Sequence, residues 1–223
     1  METLDLTLLP TPPEYSDTLF AQIANDIHDK GFSIQPNALP LDLAESLHTH
    51  VMQMPEYQFD EAGIGRLQQL QQNSFVRRDA IAWINGESDA GRDWLAWSAR
   101  LQQYLNRHLF MGLFSFESHF AHYPPGSFYK KHFDAFKGQA NRVLSVVVYL
   151  NPDWGVDDGG ELVIYTDDDL TDGISVIPSF ATIAVFLSED HLHEVLPTKR
   201  DRFSIAGWYR VNSSNANRVD PPK

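Results

Sequence analysis

Apolar side chains recur at helical spacing in three segments of the N-terminal half of the chain. The first predicted helix follows Ser16, which can cap it, and stops at Gly31. The second spans residues 41–53 and the third residues 92–110. The apolar stripes consist of Leu19, Phe20, Ile23 and Ile27 in the first helix, Leu43, Leu47 and Val51 in the second, and Trp94, Trp97, Leu101, Tyr104, Leu105 and Leu109 in the third. Each stripe predicts one helix face packed against a core.

Short runs rich in β-branched and aromatic residues lie between and after these helices, and Gly, Pro, Asn and Asp separate them. The run 114–123 alternates, so that every second side chain falls on one face. The predicted strands are 74–77, 80–84, 114–123, 143–150, 161–166, 174–177, 182–187 and 203–211. Strands at this density after N-terminal helices predict a mainly β fold, a jelly-roll core buttressed by α-helices.

The pattern contains no internal repeat and no internal linker, which favours one domain over residues 16–211. Within it, residues 16–110 are expected to provide helical support and residues 74–211 the jelly-roll core. A Pro-rich extended arm is expected at 1–15 and a polar tail at 212–223.

Composition narrows the classes of function. The net charge of −13 argues against a nucleic-acid partner, because phosphate binding rests on clustered Lys and Arg. The chain has no cysteine, so any metal must be held by His, Asp or Glu. With no signal-peptide pattern and no apolar stretch long enough to span a bilayer, a soluble cytoplasmic protein without a membrane partner is expected. The acidic loop 153–172 is interpreted as solvated, although it could steer a basic partner.

One short motif offers the side chains that could bind a metal ion. His132 and Asp134 form an H-x-D, and residues two apart on a strand face the same side. His193, after the apolar run TIAVFLS, could complete the two-His, one-carboxylate set that suits non-haem Fe(II). Two alternatives stay open: an ordinary His132–Asp134 ion pair on a solvated strand end, and a rival H-x-H pair of His191 with His193.

Arg202 gives this motif a chemical context. It follows His193 by nine positions and opens the apolar strand RFSIAGWY. A buried arginine is costly unless it meets an anion, and a guanidinium forks naturally onto a carboxylate. A dicarboxylate that chelates the metal at one end could meet Arg202 at the other. The alternative is an Arg–Asp pair at the barrel rim.

The order of these residues resembles the 2-oxoglutarate oxygenases, and more narrowly the prolyl hydroxylase-domain family of oxygen-sensing enzymes and their bacterial relatives. The segments YPPG, VVYLNPDW, DGGEL, HEVLP and RFSIAGWY agree, and the similarity spans residues 75–210. The resemblance implies a double-stranded β-helix, Fe(II), 2-oxoglutarate and O2, with ascorbate as an accessory cofactor to consider. It places the metal on His132, Asp134 and His193, because the HEV context selects His193 over His191.

The same resemblance assigns a co-substrate pocket. Arg202 pairs with the phenol of Tyr149 at the distal carboxylate of 2-oxoglutarate, and Tyr123 approaches the end near the metal. Val147 and Leu162 are the expected walls of this pocket. Together with the three metal ligands, Arg202 completes the expected catalytic set.

The segment 76–84 resembles the loop that closes over peptide substrate in that family. The expected substrate contacts are Arg77, Asp79 and Trp83 in this segment, with Arg142 and Trp208 beside the same opening. Core packing is the alternative role for both tryptophans.

The reaction implied is hydroxylation of a prolyl residue in a protein, with formation of succinate and CO2. A free amino acid or small metabolite is the alternative substrate. A cupin-type metalloenzyme that uses no 2-oxoglutarate and a non-catalytic binding module are the alternative classes. The expected partner is a proline-containing protein or peptide, and the oligomeric state is left open.

Overall fold

Three α-helices and eleven strands make up most of the residues that the computed structural model describes, which are 14–61, 76–135, 141–166 and 172–212. The helices are α1 (Glu14–Lys30), α2 (Leu41–Gln53) and α3 (Asp89–Leu109). The strands are β1 (Phe32–Gln35), β2 (Asp60–Glu61), β3 (Ala80–Trp83), β4 (Leu113–Tyr123), β5 (Tyr129–His132), β6 (Arg142–Tyr149), β7 (Leu162–Tyr165), β8 (Gly173–Val176), β9 (Ile183–Leu187), β10 (His193–Val195) and β11 (Arg202–Val211).

The strands form two antiparallel sheets. The large sheet has the order β1-β9-β6-β11-β4-β3-β2, and the small sheet has the order β5-β10-β7-β8. Neighbours in each sheet are far apart in sequence, as the pairing of β11 with both β4 and β6 illustrates. Two facing sheets of this kind, with helices on one side, confirm the predicted jelly-roll fold.

The large sheet is covered on both faces, which explains why its strands are apolar on both sides. One face packs against the helices, where Leu47, Trp94 and Ile205 belong to one buried cluster. The other face meets the small sheet, where Tyr149 of β6 and Ile164 of β7 belong to a second cluster. This second interior, between the sheets, is where the functional side chains lie.

The three predicted helices are confirmed, but two of their starts differ from the prediction. The first helix already includes Glu14, so residue 16 lies within the helix and not before its first turn. Gly31 follows its last residue with a φ of 79°, a conformation that glycine adopts at low cost. The third helix begins three residues early, because Ser88 caps it by accepting a hydrogen bond from the Gly91 N–H at 3.0 Å.

Seven of the eight predicted strands are present with small changes at their ends. Residues 74 and 75 lie outside the described part of the chain, and Arg77 forms an isolated bridge rather than a strand. The short strands β1, β2, β5 and β10 were not predicted from the pattern.

Apart from residues 14, 15 and 212, the predicted arm and tail lie outside the described residues. Among the described helices, none combines the length and apolar character needed to cross a membrane.

Candidate metal and co-substrate site

The pairing of two short strands brings the candidate metal ligands together. His132 at the end of β5 lies opposite His193 at the start of β10. Asp134 follows in a bend beyond β5, so the prediction that the H-x-D pair shares one strand is wrong. The bend still turns its carboxylate inward, to 3.7 Å from His132 Nε2 and 3.6 Å from His193 Nε2. One ligand atom from each residue falls within 4.8 Å of the others, close enough to share one ion.

Both imidazoles are oriented by a backbone carbonyl two residues earlier. His132 Nδ1 donates to the carbonyl of Lys130 at 2.7 Å, and His193 Nδ1 donates to the carbonyl of His191 at 3.1 Å. Each bond holds the proton on Nδ1 and leaves the Nε2 lone pair facing the cluster. Nothing in the sequence pattern indicates these partners, because they depend on local backbone geometry.

The charge states of the cluster suit a divalent cation. Burial, with the neighbouring His193, lowers the pKa of His132 to about 4. Burial alone would raise the pKa of Asp134, but the two imidazoles and the Ser145 hydroxyl favour its carboxylate and hold the pKa at about 2. Ser145 Oγ donates to that carboxylate at 2.6 Å and lies 2.9 Å from Ser188 Oγ. Neutral imidazole and ionised carboxylate are the forms that bind metal.

The donor set therefore fits non-haem Fe(II), which favours two imidazoles and one carboxylate on one face. His191 stands apart from this set. Its Nδ1 faces the Tyr165 carbonyl at 3.4 Å, and its ring packs edge-on against Phe32 with centroids 5.5 Å apart. The rival H-x-H pair thus has no support from the geometry.

Arg202 is a buried cation at the start of β11, with 1% of its surface exposed. Its Nε donates to the carbonyl of Gly160 at 2.8 Å, and one terminal nitrogen donates to Ser204 Oγ at 3.2 Å. Within the described part of the chain, no carboxylate pairs with it. The predicted alternative of an Arg202–Asp pair is therefore absent among those residues.

Two tyrosines lie beside this guanidinium. Its Cζ is 4.8 Å from the ring centroid of Tyr123 and 5.1 Å from that of Tyr149. The Tyr149 hydroxyl is buried and has no hydrogen-bond partner among the described residues. Burial raises the pKa of Tyr149 to about 12, although Arg202 opposes the rise, so the phenol keeps its proton as a donor. An unpaired cation next to an unused donor fits the carboxylate end of a dicarboxylic acid.

The predicted pocket walls lie in the same space. Leu162 is buried and Val147 is half-buried, and both belong to the inter-sheet cluster together with Tyr149 and Phe186. The Phe186 ring also contacts His193, with centroids 4.7 Å apart. The metal cluster and the Arg202 pocket therefore share one continuous interior.

Two of the predicted substrate contacts pair with each other. Arg77 Nε and a terminal nitrogen donate to the two carboxylate oxygens of Asp79 at 2.7 and 2.6 Å. The Asp79 side chain is fully buried. Backbone hydrogen bonds attach this part of the segment 76–84 to the strand β5, and Ala80–Trp83 form β3 in the large sheet.

The other three predicted contacts lie around His119, a residue that the sequence pattern did not single out. The His119 ring lies 5.2 Å from the Trp83 ring and 5.4 Å from the Trp208 ring, measured between centroids. The Arg142 guanidinium lies over the Trp208 ring, with its Cζ 3.7 Å from the ring centroid, and Arg142 Nη2 donates to Glu117 Oε1 at 2.8 Å. Trp83 is 56% exposed, which contradicts simple core packing for that side chain.

His119 is 3% exposed, and burial lowers its pKa to about 4, with the charge of Arg77 acting in the same direction. It therefore presents a neutral imidazole between the two tryptophans. The sequence shows that His119 belongs to the alternating run of β4. It does not show that Trp83, which lies on the strand β3, packs against the His119 ring.

Comparison with known proteins places this architecture in a wider group. A profile of the 2OG-Fe(II) oxygenase superfamily matches residues 118–210. A prolyl-4-hydroxylase from Pseudomonas putida is 36% identical over 86% of this chain and 99% of its own, with a TM-score of 0.78.

Two further structures are similar. A prolyl hydroxylase from Trichoplax adhaerens, in complex with a peptide fragment of the hypoxia inducible factor oxygen degradation domain, is 25% identical over 87% of this chain and 90% of its own, with a TM-score of 0.76. A viral collagen prolyl hydroxylase from Paramecium Bursaria Chlorella virus-1, in a 2OG complex, is 17% identical over 82% of this chain and 98% of its own, with a TM-score of 0.57, and shows the shared fold alone.

Proposed function

Because this chain belongs to the 2OG-Fe(II) oxygenase superfamily and is a 2-oxoglutarate-dependent dioxygenase, we propose that it hydroxylates a prolyl residue within a protein or peptide. The observation that carries the proposal is its similarity, over almost the whole length of that protein, to the prolyl-4-hydroxylase of Pseudomonas putida. The peptide-bound prolyl hydroxylase from Trichoplax adhaerens supports a peptide rather than a free amino acid as substrate.

In this proposal, His132, Asp134 and His193 hold Fe(II) on one face. Their Nε2 atoms and carboxylate already converge, and the carbonyl of Lys130 and the hydroxyl of Ser145 keep two of them in orientation. When bound, Fe(II) with 2-oxoglutarate and O2 supplies the oxidation, in which one oxygen atom enters a substrate C–H bond and the other enters succinate as CO2 leaves. The protein contributes geometry and a dry pocket.

Arg202 would bind the distal carboxylate of 2-oxoglutarate through guanidinium N–H groups that Gly160 and Ser204 leave unused, and Tyr149 would donate its hydroxyl to the same carboxylate. Tyr123, whose ring also lies beside the Arg202 guanidinium, is proposed to reach toward the metal end, and Val147 and Leu162 would exclude water from the chain between the two carboxylates. Pairing an otherwise isolated buried cation makes binding of a dicarboxylate favourable.

The substrate contacts are proposed around the buried His119 ring, at the point where the side chain of Trp83 is exposed. Trp83 and Trp208 both lie close to that ring and offer flat apolar surfaces, which suit the ring of a prolyl residue. Arg142 and Arg77 lie near these rings and can meet the polar backbone of a peptide, while the fully buried Asp79 holds Arg77 in place. The neutral His119 imidazole adds an uncharged polar group to this proposed substrate site.

The experiment that tests the proposal offers the Fe(II)-loaded protein three substrates with 2-oxoglutarate. These are proline-containing peptides, free proline and a whole-cell lysate, with oxidised prolines mapped by mass spectrometry and succinate measured in parallel. Hydroxylated peptidyl proline is the expected result. Turnover of free proline alone would overturn the prolyl-peptide substrate and would leave the oxygenase class standing.

Two variants test the ligand set in the same assay. Asp134→Ala is expected to abolish succinate formation and metal binding, because the remaining imidazoles offer no anionic ligand. His191→Ala is the matched control, since that ring lies outside the cluster, and it should retain metal. Loss of metal in His191→Ala with retention in His193→Ala would show that the ligands are wrongly assigned.

A further inference from the structure

The ring of Tyr129 covers the ring of the proposed iron ligand His132. The two ring centroids are 3.5 Å apart and the planes differ by 16°, which is a parallel stack. The second imidazole, His193, meets His132 at 4.2 Å with a tilt of 57°. The hydrogen bond from His132 Nδ1 to the Lys130 carbonyl fixes one edge of the ring, and the stack restricts rotation of its plane.

A β-bulge makes this contact possible. Tyr129 and His132 are three residues apart, and in a regular strand they would face opposite sides. The pairing of β5 with β10 places His193 opposite His132 and Val195 opposite Tyr129, so three steps along one strand match two along the other. The extra residue in β5 turns both rings to the same side, a use of bulges that recurs next to active sites.

Tyr129 is itself held by a charged pair. The Arg77 guanidinium lies 4.4 Å from the Tyr129 ring centroid, within the range of a cation–π contact. The Asp79 carboxylate accepts two hydrogen bonds from that guanidinium. Burial alone would lower the pKa of Arg77, but the hydrogen bonds and the negative charge of Asp79 raise it. The cation therefore stays charged and in place over the ring.

The backbone reinforces this contact. Arg77 bridges Tyr129 in an antiparallel pair, flanked by hydrogen bonds from the Arg78 N–H to the Phe128 carbonyl at 3.1 Å and from the Lys130 N–H to the Val76 carbonyl at 2.9 Å. The segment that contains Arg77 and Asp79 is thus joined to β5 by its backbone as well as by its side chains.

We propose that Tyr129 is a positioning residue for the iron ligand His132, and that the Arg77–Asp79 pair holds Tyr129 in that role. This inference rests on the proposed ligand set. It extends that set with a flat ring that restricts rotation of the His132 imidazole, and it gives Arg77, with Asp79 as its buried partner, a function toward the metal in addition to the proposed contact of Arg77 with substrate. Groups that orient a ligand in this way usually affect metal affinity by about 10- to 100-fold.

The test measures metal binding rather than turnover. Fe(II) affinity is determined anaerobically by competition with a chromogenic chelator, and the visible absorption of the Co(II)-loaded protein reports ligand geometry. Tyr129→Leu removes the flat ring and should weaken Fe(II) binding at least about tenfold and change the Co(II) spectrum. Tyr129→Phe keeps the stack and should restore both to within about twofold of the wild type.

Arg77→Gln provides a second variant that leaves Tyr129 in place, so the result does not depend on Tyr129→Leu folding well. It should weaken Fe(II) binding by a smaller factor, on the order of threefold, with the apo protein still folded by circular dichroism. Wild-type Fe(II) affinity and an unchanged Co(II) spectrum in both Arg77→Gln and the folded Tyr129→Leu variant would overturn the inference.

His132→Ala separates this failure from failure of the proposed function. If His132→Ala loses Fe(II) while Tyr129→Leu and Arg77→Gln bind it normally, the ligand set holds and the positioning role is wrong. If His132→Ala binds Fe(II) as tightly as the wild type, the ligand set itself is wrong, and the positioning role falls with it.

Discussion

Arg202 is the residue whose removal should affect the co-substrate most directly. Arg202→Ala is expected to raise the KM for 2-oxoglutarate by roughly 10- to 100-fold, equivalent to about 1.5–3 kcal/mol, because a carboxylate would lose its charged partner in a buried pocket. Steady-state succinate formation at varied 2-oxoglutarate provides the measurement. Arg202→Lys keeps the positive charge but cannot donate two parallel hydrogen bonds, so its KM for 2-oxoglutarate should lie between those of the wild type and Arg202→Ala. An unchanged KM in Arg202→Ala would contradict this role.

Arg202 could be proposed because an arginine that opens an apolar strand needs an anion, and His132, Asp134 and His193 could be proposed from the resemblance to the oxygenase family. Their orientation could not. The carbonyls that hold His132 and His193, and the serine that holds Asp134, are set by backbone geometry and by a distant strand. His119 was missed for a related reason, since the partners that make it distinctive, Trp83 and Trp208, come from other strands.

His119 also predicts a pH dependence of stability. Its folded-state pKa of about 4 lies below the ordinary value of 6.5, with Arg77 and Arg142 opposing protonation and Asp79 favouring it. The unfolded chain therefore takes up more protons between these two values, so the contribution of His119 is complete above pH 6.5 and is lost as the pH falls toward 4. The loss is at most about 3 kcal/mol.

Urea unfolding of the apo protein between these pH values measures this effect. His119→Gln should flatten the pH dependence of the unfolding free energy between these two values. Part of the slope should survive in His119→Gln, because the pKa of His132 is lowered in the same direction. Identical slopes in His119→Gln and the wild type would refute the assignment.

At the scale of elements, the loop before β7 supports β11 through one glycine. Gly160 has a φ of 72°, its carbonyl accepts from Arg202 Nε, and an added Cβ would lie 2.9 Å from Arg202 Cδ. Gly160→Ala is expected to cost about 1–3 kcal/mol of unfolding free energy and to raise the KM for 2-oxoglutarate, because the strained backbone must shift the guanidinium.

Gly155→Ala in the same loop is the matched control for this prediction. Gly155 has a φ of −106°, which any residue can adopt, and the nearest atom to an added Cβ is a side-chain oxygen 3.8 Å away. Chemical unfolding and the co-substrate KM should therefore stay close to the wild-type values. Equal effects in the two variants would show that the loop tolerates a side chain at Gly160.

The elements predicted best were those with long periodic patterns. The helices α2 and α3 and the strand β4 show their apolar spacing over ten residues or more. The strands β5 and β10, with the sequences YKKH and HEV, are short and polar, and only their pairing with each other and with β7 defines them. These two strands carry the imidazole ligands, so the least periodic elements hold the chemistry.

For the whole molecule, the succession of helices and dense short strands was sufficient to predict a jelly roll supported by helices. The strand order was not predictable, because neighbours such as β1 and β9 are far apart in the chain and pair through long-range contacts. The metal cluster draws on this long-range order, since its ligands and Ser145 come from the small sheet, from a bend and from the large sheet.

A ligand that connects such distant segments should stabilise the fold as a unit. At concentrations of about 100 times their Kd, Mn(II) and 2-oxoglutarate should each add about 2.7 kcal/mol to the unfolding free energy, which raises Tm by roughly 5–10 °C for each bound ligand. Mn(II) replaces Fe(II) here to avoid turnover during the measurement. Asp134→Ala should lose the shift from the metal, and Arg202→Ala should keep the metal shift while losing about half or more of the increment from 2-oxoglutarate. Calorimetry on the three proteins separates these cases, and an equal rise in Tm in all three would mean that the ligands bind elsewhere.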